Sequence, residues 1–200
     1  MTYRSPLERK RHRRRWLILL TTAAAVLLAV SLADFWIAKT IRTDDLVKLN
    51  SRDWYRTVRV VGSLWCWLLV MIVLALQDRG WHRALPTILA PVLAGLLAEL
   101  MKRVLPRSRP FDAHGCLLPT YDWRPPFSGF INDSSLGMPS SHAAVAFAGC
   151  IMLAHWMPRA RWVFYILAIC CGLSRMVAGA HYASDVLVGA FLGYLGARIV

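Results

Sequence analysis

Apolar residues in this sequence gather into six long runs, at roughly 16–38, 58–76, 84–101, 142–157, 162–178 and 186–200, each nearly free of charge. A helix rises about 1.5 Å per residue and the hydrocarbon core of a bilayer is about 30 Å thick, so about 20 apolar residues cross it. Three runs reach that length alone, and the shorter ones need part of their flanks. The last run ends with the sequence at Ile199 and Val200, as a short span or a truncated one. A soluble globule of 200 residues could not cover so many uninterrupted apolar helices. The pattern therefore predicts an all-α, polytopic membrane protein built as a six-transmembrane-helix bundle.

Two stretches break the apolar rhythm. The segment 39–57 is polar with scattered Leu46, Val47, Leu49, Trp54 and Tyr55, and reads as a loop or a short amphipathic helix on the surface. The segment 102–141 carries Pro106, Pro110, Pro119, Pro125 and Pro126, which rule out a continuous helix. Long irregular connections of this kind are usually functional.

Composition agrees with the pattern: 57% of the residues are apolar, against about 45–50% in an ordinary soluble domain. The net charge of +13 adds orientation. Seven basic residues precede residue 16 (Arg4, Arg9, Lys10, Arg11, Arg13, Arg14 and Arg15), directly before the first apolar run. In that position they anchor a span on the cytoplasmic side and touch anionic headgroups, rather than binding nucleic acid. Counted with this cluster, the basic residues divide evenly between the two faces, twelve and twelve, so the total is uninformative, but the first helix usually dominates orientation. The expected organisation is a basic cytoplasmic head at 1–15 and one membrane domain at 16–200. The run from Trp16 to Ala33 is too long for the core of a cleaved signal peptide. Of five cysteines, four lie inside predicted spans and only Cys116 lies in a loop, so no disulfide framework is expected. No ligand spacing suggests a metal or other cofactor.

Three groups of chemically capable residues stand at the ends of different runs. Lys102 and Arg109-Pro110 follow the third; Pro139-Ser140-Ser141-His142 opens the fourth; Ser174-Arg175, His181 and Asp185 lie between the fifth and sixth. Alternating spans bring all three groups to one membrane face. Lys102, Arg109 and Arg175 offer fixed positive charge and donors suited to phosphate oxygens. Ser140 and Ser141 precede a helix, so their hydroxyls and N–H groups face an anion held at its N-terminus. His181 and Asp185 are one helical turn apart, so the carboxylate is expected to accept from one ring nitrogen and leave the other free to attack phosphorus. A protonated His142 then serves the leaving oxygen. Three cations supply the electrostatic clamp without a metal.

These groups resemble the signature of the type 2 phosphatidic acid phosphatase superfamily, also called the vanadium haloperoxidase-like phosphatases. Its pattern is Lys, six residues, Arg-Pro; then Pro-Ser-Gly-His; then Ser-Arg, five residues, His, three residues, Asp. Lys102, Arg109, Pro110, Pro139, Ser140, His142, Ser174, Arg175, His181 and Asp185 match at the required spacing, and Ser141 departs from the motif glycine. The resemblance implies a six-helix bundle with its site near the outer leaflet and a phosphohistidine on His181. Lys102, Arg109, Ser140, Ser141 and Arg175 would hold the phosphate of a lipid substrate. The reading is a lipid phosphatase, with a lipid phosphotransferase as the nearest chemical alternative and a non-catalytic lipid-binding protein as the alternative of another class; the Arg-rich composition and small size add the expectation of a bacterial inner-membrane protein.

Other polar residues read as structural. Glu99 is placed to pair with Lys102 or Arg103 and so to position Lys102. Asp34 falls near the outer end of the first run, within reach of the interface. His12, His82 and His155 lie away from the motif groups, and His114 lies in the long loop without a partner.

Overall fold

The computed structural model describes the chain from residue 6 onward except residues 44, 79, 112–115 and 119, with side chains at Ile18 and from residue 21 onward. Arg4, Asp44, Arg79 and His114 thus lie outside the described residues. Among the described residues there are eight α-helices and no extended strand. They are α1 (Pro6–Ile41), α2 (Leu46–Ser51), α3 (Asp53–Val60), α4 (Leu64–Gln77), α5 (Ala84–Val104), α6 (Ser141–Trp156), α7 (Arg161–Val177) and α8 (Ala183–Ile199). The basic head is helical from Pro6 and continues into the first apolar run without a break. The polar segment after it forms the two short helices α2 and α3.

The expected single helix over 58–76 is broken. α3 and α4 meet at 67° across residues 61–63. Ser63 is extended there, and Gly62 sits against α6. The indole N–H of Trp67 donates to the Val61 carbonyl at 2.8 Å, satisfying an acceptor that the break leaves over. Three helices, Thr21–Ile41, Ala84–Val104 and Pro158–Val177, are long and apolar enough to cross a membrane, or four if the bent pair counts as one. α6 has 16 residues and α8 has 17, so helix length by itself does not establish six crossings.

α6 is the centre of the bundle, packed by α5, α7 and α8. Its sequence SHAAVAFAGCIMLAHW has no polar face, and ten of its 16 residues are buried. Close approach is made by small residues. A Cβ on Gly189 of α8 would lie 2.4 Å from the Ser140 carbonyl oxygen, and one on Gly193 would lie 2.6 Å from that of Ala144. This is how helices pack where apolar burial from water gives little drive to associate. The outer surface is apolar: Leu32, Trp36, Trp65, Leu69 and Leu76 are all more than half exposed. Together with the apolar helices, this surface fits a multi-pass membrane protein.

The stretch 105–140 is irregular but anchored. Isolated antiparallel bridges join Arg107 to Trp123 and Ser108 to Leu136. The Ser108 hydroxyl donates to Asp122 at 2.6 Å, and Gly137 N–H donates to the Arg107 carbonyl at 2.7 Å. The loop is tied to the helix ends by Phe127 N–H, which donates to the Val104 carbonyl of α5 at 3.0 Å, and by Arg107, which donates to Ser184 and Asp185 of α8.

Candidate active site

The three motif groups meet. Lys102 lies in the last turn of α5, and its ammonium donates to Glu99 Oε1 at 2.8 Å and contacts the Ser141 hydroxyl. Ser141 in turn donates to the same Glu99 oxygen at 2.7 Å. Glu99 therefore positions Lys102, as its spacing predicts, and also holds the serine that replaces the motif glycine. Ser140 caps α6, and its N–H donates to the Asp185 carbonyl at 3.0 Å, joining the second group to the third. Arg175 is buried in the last turn of α7, where its guanidinium donates to the Tyr55 hydroxyl of α3 at 3.3 Å. Its Nε has no hydrogen-bond partner among the described residues. Arg109 is exposed and approaches the Leu136 carbonyl at 3.5 Å. Lys102 and Arg175 both act electrostatically on His142 and His181, and His181 also acts on His142.

Charge accounting is informative. Glu99 is matched by Lys102, and Asp185 by Arg107. Arg109 and Arg175 have no carboxylate partner among the described residues. Arg175, uncompensated and acting on both histidines, with Arg109 near enough to act on Arg175, suits an anionic phosphoryl group. No group of three or more His, Cys, Asp and Glu side chains among the described residues is arranged to hold a metal ion.

His181 and Asp185 do not pair as their spacing suggests. Nδ1 of His181 lies 2.8 Å from the Gly137 carbonyl, while the nearer Asp185 oxygen is 3.8 Å away. His181 precedes α8, whose first helical residue is Ala183, so the regular one-turn geometry does not apply. Asp185 turns instead to the Tyr182 N–H at 2.8 Å and to Arg107. The consequence for tautomer is unchanged. A carbonyl can only accept, so Nδ1 carries the proton and Nε2 keeps its lone pair. Burial pushes the His181 imidazole below its ordinary value, and the Asp185 carboxylate opposes that shift.

Sequence reasoning missed Arg107. It is 2% exposed, is paired with Asp185, donates to the Ser184 hydroxyl at 2.8 Å, and lies among the rings of Tyr121, Trp123 and Tyr182 at 4.7, 5.4 and 5.1 Å. Asp34, near the end of the first apolar run, is fully buried, accepting from Ser184 N–H at 3.0 Å, from the Ser184 hydroxyl, and from Tyr121 at 3.0 Å. Burial and the neighbouring Asp34 charge push the Tyr121 phenol up to about 12, so it remains a donor at neutral pH. Asp34, Ser184, Arg107 and Asp185 thus form one buried network that reaches His181 through Asp185.

A sequence model of the PAP2 superfamily matches residues 83–200, and the chain belongs to that superfamily. The chain is similar to the lipid A 1-phosphatase of Rhizobium etli, 38% identical over 102 residues that make 51% of this chain and 42% of that protein. It is also similar to the undecaprenyl-diphosphatase of Sulfolobus acidocaldarius, 28% identical over 133 residues, 66% of this chain and 60% of that one. The chain thus spans about two-fifths of the length of the lipid A 1-phosphatase it matches. Its fold is similar to the crystal structure of the first transmembrane PAP2 type phosphatidylglycerolphosphate phosphatase from Bacillus subtilis. The TM-score is 0.56 at 24% identity, over 92% of this chain and 90% of that one.

Proposed function

We propose that the chain is a membrane-embedded lipid phosphatase that hydrolyses a phosphate or pyrophosphate monoester of a lipid through a phosphohistidine on His181, without a metal. The observation that carries this reading is the Nδ1 contact of His181 with the Gly137 carbonyl, which leaves Nε2 as a buried, unprotonated nucleophile beside unpaired cationic donors. Nε2 attacks phosphorus while Arg175, Arg109, Lys102 and the α6 N-terminus at Ser140 and Ser141 take up charge on the equatorial oxygens. The P–O bond to the lipid breaks, and His142 gives its proton to the departing oxygen. Water then attacks the phosphohistidine, returning a proton to His142 and releasing inorganic phosphate. Asp185 acts on His181 through its charge at 3.8 Å rather than through a hydrogen bond.

The same reading takes the bundle as six crossings, with α3–α4 as one bent span and the short α6 and α8 completed by their flanks. The basic head is then cytoplasmic, and the site and the loop 105–140 face the outer side of a bacterial inner membrane. The relatives named for lipid A and undecaprenyl diphosphate support a lipid phosphate as substrate.

Acid-quench trapping with a radiolabelled lipid phosphate tests the nucleophile. His181→Ala is expected to form no phosphoenzyme and to lose turnover. His142→Ala is expected to keep a larger fraction of its activity on a nitrophenyl phosphate than on a lipid alkyl phosphate, where acid catalysis is worth roughly a hundredfold or more. A phosphoenzyme on His181→Ala would move the nucleophile elsewhere, with His142 the first candidate.

A further inference from the structure

His142 lines two spaces at once. One is a mainly apolar groove of about 320 Å³ between α4, α5 and α6, walled by Leu64, Val92, Leu96 and Val145 and ending at Glu99 and Ser141. The other is a cavity of about 300 Å³ lined by Arg56, Arg59, Val60, Ser63 and His142. None of Lys102, Arg109, Arg175 and His181 lines this second space; it shares His142 with the phosphate-binding cluster, and Arg59 lies near enough to Arg175 to act on it electrostatically.

The second space is cationic by construction. Arg56, Arg59 and Val60 share one face of α3 at helical spacing. The Nε of Arg56 donates to the Asn50 carbonyl at 2.7 Å, which directs its guanidinium. Among the described residues neither arginine has a carboxylate partner, and no acidic residue lines the cavity. The break between α3 and α4 puts this face in place. A Cβ on Gly62 would meet His142 Cβ at 2.8 Å and the His142 carbonyl at 2.9 Å, so only glycine lets the chain turn this close to His142. The neighbouring Tyr55 of α3 holds Arg175 at the same time.

We infer that the Arg56–Arg59 cavity is a second anion site, which receives a phosphate that stays on the leaving group, so that the preferred substrate is a lipid diphosphate rather than a lipid monophosphate. The inference rests on the phosphatase reading and on His142 as the group beside the leaving oxygen. His181 attacks the terminal phosphorus, the bond to the bridging oxygen breaks, and that oxygen takes the His142 proton. The departing lipid monophosphate then has its own phosphate against Arg56 and Arg59 and its chain along the apolar groove. Exposed arginines at a membrane surface could instead hold headgroups of bulk anionic lipid, and the test separates the two sources.

Farnesyl diphosphate and farnesyl monophosphate share one chain and differ only in the second phosphate. In neutral detergent, the ratio of their kcat/KM values is expected to favour the diphosphate and to fall at least tenfold in Arg56→Gln/Arg59→Gln, with Arg59→Lys between. Adding phosphatidylglycerol to the micelles should leave that fall unchanged. Equal losses on both substrates, or a loss that appears only with anionic lipid, would overturn the inference in favour of headgroup binding. Binding of the non-hydrolysable farnesyl methylenediphosphonate, compared with farnesyl phosphonate, reads the cavity without turnover. Tighter diphosphonate binding that the double variant loses, in a protein that hydrolyses neither ester, would sink the phosphatase reading and leave the anion site standing. Equal binding of the two phosphonates by the unmodified chain would sink the anion site itself.

Discussion

Replacing Arg107 by methionine would leave the Asp185 carboxylate, fully buried in the first turn of α8, without the guanidinium that neutralises it. The Ser184 hydroxyl would lose a donor at 2.8 Å, and the three rings of Tyr121, Trp123 and Tyr182 would lose the cation between them. Removing one partner of a buried ion pair costs about 3–5 kcal/mol, because the other charge stays behind without compensation. For a chain of this length that corresponds to a fall of roughly 6–20 °C in Tm. Thermal unfolding in detergent of Arg107→Met, Asp185→Asn and the double variant measures it. The double variant should recover much of the loss, since it removes both charges together. It should not recover activity, because Asp185 also bears on His181. Arg107→Lys should fall between, keeping the charge but losing the planar fork that bonds Ser184 and Asp185 and lies among the rings. A Tm change below about 3 °C for Arg107→Met, or a double variant as unstable as the sum of the singles, would refute the structural role given to this pair.

The pH dependence of kcat/KM follows from His181. The nucleophile must be neutral, and burial holds its imidazole below the ordinary value of about 6.5, so activity should persist below that pH. Asp185→Asn removes the carboxylate that opposes this shift, and the acid limb should move to still lower pH; comparing both proteins on one substrate cancels the substrate's own ionisation. A limb that moves upward would contradict the assignment. Gly62→Ala drives a methyl group into His142 and its carbonyl, and kcat on a lipid alkyl phosphate should fall at least tenfold. The same variant should lose less on a nitrophenyl phosphate, and equal losses on the two would mean that His142 is not what the methyl group displaces.

How much of this could be read from the sequence depended on what kind of signal each feature leaves. The motif groups were legible because particular residue types stand at fixed spacings beside the ends of apolar runs, and the fold brings those ends together. Glu99 was legible because its partner Lys102 is three residues away on the same helix. Arg107 was not, since its partners are Ser184 and Asp185, 77 and 78 residues on, and a lone arginine between two motif cations carries no local mark. The His181–Asp185 hydrogen bond was expected from helical spacing, but the helix begins too late for that spacing to hold. The break in the second apolar run was hidden by its hydropathy, which continues from Val60-Val61 to Leu64 across Gly62-Ser63. That Gly-Ser pair was the available signal, because such pairs are where helices kink.

The burial of Asp34 bears on how α1 is held. Only 11% of the apolar window in Thr21–Ile41 is buried, so this helix gains little from apolar packing. In a bilayer it would gain little in any case, since lipid tails are as apolar as its own leucines. Beside the ring contacts of Phe35 with Tyr121 and Tyr182 and the burial of Ala38, what attaches it is polar. The Asp34 carboxylate accepts from Ser184 N–H, the Ser184 hydroxyl and Tyr121, and the Ser31 carbonyl accepts from Tyr121 at 2.7 Å. Just beyond the helix, Thr43 N–H donates to the Val177 carbonyl at 3.0 Å. A carboxylate is costly to bury unless its oxygens are satisfied, and Ser184 adjoins Asp185 in the first turn of α8. The cheapest arrangement for Asp34 is therefore the one in which α1, α8 and the loop carrying Tyr121 are all docked, which is also the arrangement that completes the site.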